Sequence, residues 1–199
     1  IILVDDGCTD GTPRVAAEMG ARVVVASPPG HSQGSGNARR VGLRHTATAV
    51  VAFADADDRS RPDRFALQLA ALDGAPEPAL VLGHRADFLT PDRAGELDQR
   101  YHAHAEPVPG WAAGTMMAHR ATFNALGGFD TLPGVHDSFG LSARAHELGM
   151  EVIMVPQTII DRRIHGGNAT IVGRVDVQAG YLAAARAAIL RRRGTEVDL

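Results

Sequence analysis

The chain has 199 residues, 45% of them apolar, a net charge of −3 and a pI near 6.3. That is enough apolar content for one domain with its own core, and the charge balance excludes a generic nucleic-acid binder. Cys8 is the single cysteine, which excludes an intramolecular disulfide framework and fits a reducing cytoplasm, and no apolar run reaches the roughly 18 residues of a membrane span.

Residues 1–4 read as a short buried strand, already the interior of a fold, so the chain reads as one that begins inside its domain. A turn rich in Asp and Gly follows, from Asp5 to Gly11. Thr12 and Pro13 then mark a helix start, and Gly20 its stop. Residues 22–26 form a second β-rich run, 28–36 a loop and 37–45 a helix. Residues 49–54 are an apolar strand that ends in Asp55, Asp57 and Asp58. Residues 62–72 are helical, with Phe65, Leu69 and Leu72 spaced to share one face, and residues 80–83 are another strand. The stretch 85–111 holds Pro91, Pro107, Pro109 and Gly110 and predicts loops with at most one short helix, at 94–101. Residues 111–118 read as a strand, 122–126 as a short helix and 138–148 as a helix stopped by Gly149. Strands at 151–155 and 158–164 precede a closing helix at 170–193. Alternating strands and helices in the first half predict an α/β fold with a mixed, mostly parallel sheet and helices on both faces.

A buried strand that stops and presents clustered carboxylates lies where an open α/β sheet places its ligand site. Asp55 and Asp57 supply hard oxygen donors suited to a divalent cation, although Asp is also common in turns. All 20 basic residues are Arg, so a grip on phosphate falls to guanidinium, backbone or metal.

The segment Val4 to Thr12, VDDGCTDGT, is similar to the VDDGSTDGT signature of family 2 glycosyltransferases, with Cys8 in the usual Ser place. Asn37-Ala38-Arg39-Arg40-Val41-Gly42 and Phe53-Ala54-Asp55-Ala56-Asp57-Asp58 resemble that family's ARN-x-G helix and LDADD strand end. Gly127-Gly128-Phe129-Asp130, then His136-Asp137 and Arg144, resemble its GGFDE, ED and Arg positions. Arg163-Ile164-His165-Gly166-Gly167-Asn168 resembles its late R-x-H-x-x-N segment. The blocks stand in family order and reach from residue 1 to about residue 170.

The resemblance implies a GT-A fold: a nucleotide-sugar-binding half at 1–84, an acceptor and catalytic half at 85–170 and a C-terminal helix at 171–199. Family members start with one more strand and helix, which this sequence lacks. The implied reaction is attack of an acceptor hydroxyl on a nucleotide-diphosphate sugar, with Mn²⁺ or Mg²⁺ stabilising the leaving diphosphate. Asp57 is then the direct metal ligand, Asp55 its partner near the ribose or a metal-bound water, and His165 a third ligand. A His on the diphosphate, or one packed in a loop, is the competing reading of His165. Asp6 takes the base-recognising position, against an Asx-turn reading, and Asp5 and Asp10 lean to turn duty. Arg39 reaches base or diphosphate, or is an exposed helix Arg, and Asp58 caps the following helix. Asp137 matches the general base of inverting members, at a place where an N-cap Asp also fits.

The donor nucleotide sugar and a hydroxyl acceptor (a glycan, a lipid carrier or a small molecule) are the partners this implies, in the cytoplasm or peripheral to a membrane. Competing classes are a retaining GT-A transferase, a nucleotidyltransferase and a degenerate domain that binds a nucleotide sugar without turnover. A dinucleotide-binding loop at Gly34-Ser35-Gly36 is rejected, because Arg39 stands where the third glycine belongs.

Overall fold

A computed structural model describes residues 1–90, 106–129, 137–165, 168, 186 and 189, with 137–139 through the backbone. In chain order the elements are β1 (Ile2–Asp6), α1 (Thr12–Glu18), β2 (Arg22–Ser27), α2 (Ser35–Arg44), β3 (Val50–Ala52), β4 (Arg59–Ser60), α3 (Arg64–Asp73) and β5 (Ala79–Leu89). After them come β6 (Val108–Pro109), a 3₁₀ turn (Ala113–Thr115), β7 (Met117–His119), α4 (Arg120–Ala125), α5 (Asp137–Glu147) and β8 (Glu151–Ile164).

The sheet is mixed, as the alternation predicts. β3, β7, β5, β8 and β4 lie side by side in that order with β6 on β5, while β1 and β2 form a separate pair. The two longest pairings, β1–β2 and β5–β8, are parallel; the four short ones are antiparallel. β5 is the centre. Ala79, Leu80, Val81 and Leu82 are all fully buried, the signature of a strand covered on both faces. Leu80 and Leu82 face Leu43 of α2, Phe123 of α4, and Leu141 and Ala145 of α5. Ala79 and Val81 face Leu67, Ala71 and Leu72 of α3. Helices therefore cover both faces.

β5 runs six residues beyond its expected end at Gly83, and the two strands expected at 151–155 and 158–164 are one, β8. The reason lies in the pairing. The β5–β8 register jumps from Gly83–Val155 to His84–Thr158, so Pro156, which has no N–H to give, falls in a bulge where none is needed. A Cβ on Gly83 would lie 2.6 Å from Ile159 Cδ1, so only glycine lets Ile159 cross here.

Two further expectations are corrected. α3 does not bury Phe65 and Leu69, which are 48% and 39% exposed; it buries Arg64, Gln68 and Leu72. The helix is rolled by about one residue because Arg64 is drawn inward by the carbonyl of Phe53. Residues 111–118 are not one strand. The Thr115 hydroxyl donates to the carbonyls of Gly110 and Ala112 and coils the chain into the 3₁₀ turn before β7, leaving Trp111 exposed rather than in the core. The helix expected at 94–101 lies outside the described residues, as does that at 170–193 apart from Arg186 and Ile189, both helical and exposed. Among the described residues no helix is long and apolar enough to cross a membrane.

Candidate active site

The first wall of the site is built at the end of β1. Asp5 accepts the Cys8 N–H at 2.8 Å and Asp10 the Thr12 N–H at 2.9 Å, so both serve the turn, as expected. Gly7, at φ +89°, lets residues 28–31 pack onto it: a Cβ there would lie 3.0 Å from the Pro28 carbonyl oxygen. Asp6 accepts from the hydroxyls of Ser27 (2.5 Å) and Ser32 (2.7 Å) and from the N–H groups of Gln33 and Gly34. Burial alone would raise its pKa, but these donors outweigh it and hold the carboxyl below its ordinary value. Asp6 thus ties down the loop that leads into α2, and α2 presents Arg39.

The second wall is the acidic loop after β3. Phe53 anchors it: its N–H donates to the Met116 carbonyl, and its ring meets Phe129 and Phe123 edge-on at centroid distances of 4.7 and 5.2 Å. Arg39 Nη2 donates to Asp55 Oδ1 at 2.5 Å, with its guanidinium 6.0 Å from the Phe129 ring. Gly114 of the 3₁₀ turn stands against the other carboxylate oxygen of Asp55, where a Cβ would approach to 2.7 Å.

Asp57 points the other way. Its Oδ2 lies 3.0 Å from His165 Nε2 and 3.4 Å from Asn168 Nδ2. Asn168 is buried and clasps the end of β8: its Oδ1 accepts the His165 N–H at 2.6 Å and its Nδ2 donates to the Arg163 carbonyl at 3.1 Å. Arg163 Nε in turn donates to the Asp57 carbonyl. Asp58 does not cap α3, whose N-cap is Asp63; the short strand β4 intervenes, and Asp58 Oδ1 accepts the Arg163 N–H at 3.0 Å. Burial, opposed by that bond and reinforced by Asp55 and Asp57, pushes its pKa up to about 6.

An oxygen donor on Asp57 and a nitrogen donor on His165 converge at one point, while Asp55 is held by Arg39. Among the described residues no three His, Cys, Asp or Glu side chains form a metal cage. Two protein donors still fit a divalent cation that keeps water and substrate phosphates in its remaining positions; the imidazole beside the carboxylate suits Mn²⁺ better than the harder Mg²⁺.

The later block joins through Arg144 of α5. It donates to the carbonyls of Leu126 (2.7 Å) and Gly128 (2.5 Å), pinning the turn at Gly127 and Gly128, both at positive φ. That turn seats Phe129 against Phe53 and Arg39. Asp137 is the first residue of α5; its side chain, with Asp130 and His136, lies outside the described residues. Residue-level reading gave no role to Asn168, although it stands in the R-x-H-x-x-N segment, nor to Gly114, Arg64 or Gln68, which carry no signal until the loop they hold is seen.

The glycosyl transferase family 2 model matches residues 1–140, while no curated protein matches significantly. Among solved structures, glucosyl-3-phosphoglycerate synthase from Mycobacterium tuberculosis, solved with Mn²⁺ and UDP-glucose, is 22% identical with a TM-score of 0.59, over 99% of this chain and 69% of that one. TarS from S. aureus (residues 1–349, with UDP-GlcNAc) is 17% identical with a TM-score of 0.67, over 100% of this chain and 58% of that one. The mannosyltransferase PcManGT from Pyrobaculum calidifontis, with GDP-Man and Mn²⁺, is 20% identical with a TM-score of 0.62, over 94% of this chain and 54% of that one.

Proposed function

The chain belongs to glycosyl transferase family 2, a glycosyltransferase on a GT-A fold, and from that premise we propose that it moves a sugar from a nucleotide-diphosphate donor to an acceptor hydroxyl with Mn²⁺ or Mg²⁺ held at Asp57 and His165. The observation that carries this reading is the meeting of Asp57 and His165 at 3.0 Å, both fixed by Asn168. Similar structures were solved with UDP-glucose or GDP-Man and Mn²⁺, in keeping with that donor class.

The bound cation supplies positive charge to the departing nucleoside diphosphate. Residues 1–84 form the donor half. Asp6 shapes its entrance and is the carboxylate that takes a hydrogen bond from a ring N–H of the base. Arg39 orients Asp55 and adds positive charge beside the diphosphate. Residues 85–170 form the acceptor half, where Asp137 takes the proton of the acceptor hydroxyl as its oxygen attacks the anomeric carbon opposite the leaving diphosphate, inverting that centre. The acceptor is a glycan, a lipid carrier or a small molecule.

Calorimetry with UDP, GDP and dTDP, each with and without Mn²⁺, tests the binding half: Mn²⁺-dependent affinity in the wild type and none in Asp57→Ala is expected. Donor hydrolysis then separates a working enzyme from a domain that binds without turnover. A product that keeps the donor's anomeric configuration rules out Asp137 as an inverting base.

A further inference from the structure

The buried polar face of α3 has no part in the chemistry above. Arg64 and Gln68 are both 0% exposed. Arg64 donates from Nη2 to the Phe53 carbonyl at 2.6 Å, from Nη1 to Ser60 Oγ at 3.0 Å and from Nε to Gln68 Oε1 at 3.0 Å. Gln68 Nε2 donates onward to the Thr115 carbonyl at 2.7 Å, and the Thr115 hydroxyl to the Gly110 carbonyl. One polar chain thus grips both ends of the acidic loop, at Phe53 and Ser60, and fastens them to the turn at 110–116 that sets Gly114 against Asp55.

This arrangement is not what stability alone selects. The same helix leaves Phe65 and Leu69 partly in water, while taking a guanidinium out of solvent onto neutral acceptors carries a desolvation cost. The hydrogen-bond acceptors of Arg64 are all neutral; Asp55 and Asp58 answer its charge through space, and although burial draws its pKa down to about 10 it stays cationic at neutral pH. A side chain with donors in a rigid fork suits a task of geometry.

We propose that Arg64 is a positioning residue: with Gln68 and Thr115 it locks residues 53–60 against the 110–116 turn, so that Asp55 meets Arg39 and Asp57 meets His165 before any ligand arrives. What the lock is for rests on the glycosyl-transfer reading; the lock itself does not. Fixing metal-binding carboxylates through residues behind them is the general way such a site is kept in shape.

The test compares the wild type with Gln68→Leu, Arg64→Lys and, as a control on the exposed side of α3, Leu69→Ala; Phe65 is avoided because the Arg64 guanidinium lies 5.3 Å over its ring. Lys keeps the charge but offers one amine to three acceptors; Leu cuts the relay at Gln68. Two readouts are taken: amide hydrogen exchange, and calorimetry of UDP and GDP with Mn²⁺. In both loop variants the Phe53 and Asp58 N–H groups, bonded to the Met116 and Asp55 carbonyls, are expected to exchange about tenfold faster or more, with Leu80 to Leu82 unchanged. Mn²⁺-dependent nucleotide affinity is expected to fall about 10–100-fold, and Leu69→Ala to alter neither. Unchanged loop exchange in both variants, or protection lost evenly from loop and core, overturns the proposal. A wild type that binds neither nucleotide refutes the donor reading, while the exchange pattern still decides the lock.

Discussion

Asp57 Oδ2 and His165 Nε2 lie 3.0 Å apart although 108 positions of sequence separate them. The contact exists because β8 runs beside β5 through the core and ends at Ile164, delivering His165 to the acidic loop, where Asn168 holds its backbone. Asp57→Ala is expected to lower kcat/KM about a thousandfold or more, the several kcal/mol a metal contributes to a developing charge, and His165→Ala about 10–100-fold. Steady-state kinetics across a Mn²⁺ titration check both. A metal-dependent nucleotide thermal shift that survives in Asp57→Ala removes Asp57 as ligand.

Arg39 and Asp55 form a charge-assisted pair with side chains 16% and 32% exposed. It is less screened than a surface pair, and a double-mutant cycle of Arg39→Ala and Asp55→Ala in urea is expected to return about 1 kcal/mol of coupling. A coupling indistinguishable from zero would mean the pair is incidental to folding.

Asp58 gives the metal-free protein a pH dependence. Its folded pKa of about 6 lies above the ordinary 3.8, so the folded chain binds the proton more tightly than the unfolded one. Stability is then lost as pH rises from about 4 to about 6 and is level above that. Asp58→Asn, which keeps an oxygen for the Arg163 N–H, is expected to match the wild type near pH 4. Above pH 6 it should be more stable by about 1–2 kcal/mol, a figure reduced for solvent screening. Urea melts in chelator at both pH values measure this; equal stability of the two proteins at pH 7 contradicts the buried-carboxyl account.

Gly114→Ala is a probe of Asp55 alone. The added methyl would stand 2.7 Å from Asp55 Oδ2 and 3.0 Å from its Cγ, so the carboxylate must move off Arg39. The expected result is a rise in donor KM of about tenfold, with a melting temperature lowered by only a few degrees, the scale of about 1 kcal/mol. An unaltered donor KM would place Asp55 outside the donor site.

The parts of the site that were legible in the sequence are those whose chemistry is local. A strand ending in carboxylates, the Asp and Gly turn after β1, and glycines at positive φ each carry their reason within a few residues. Most strands and helices of the first half followed from the same short-range signals. What was not legible depends on a distant partner. Residues 84–89 look irregular until β8 pairs with them, and Pro156 looks like a strand break until the register jump accommodates it. Phe65 and Leu69 have the spacing of a buried stripe, yet the Phe53 carbonyl and Thr115 turn the helix so that Arg64 and Gln68 go inside. Asp58 reads as a cap because the two residues of β4 give no signal of their own.

The long β5–β8 pairing also bears on time. Its partners are about seventy residues apart in sequence, and contacts closed over such long stretches of chain form late, because their loop entropy is lost before the contact rewards it. The turn after β1, the helices and the acidic loop are local and can gather early, but His165 arrives only when this ladder has zipped to its end. Recovery of function after dilution from denaturant would then follow the slowest step of sheet assembly, and no half-folded form of the protein would be active.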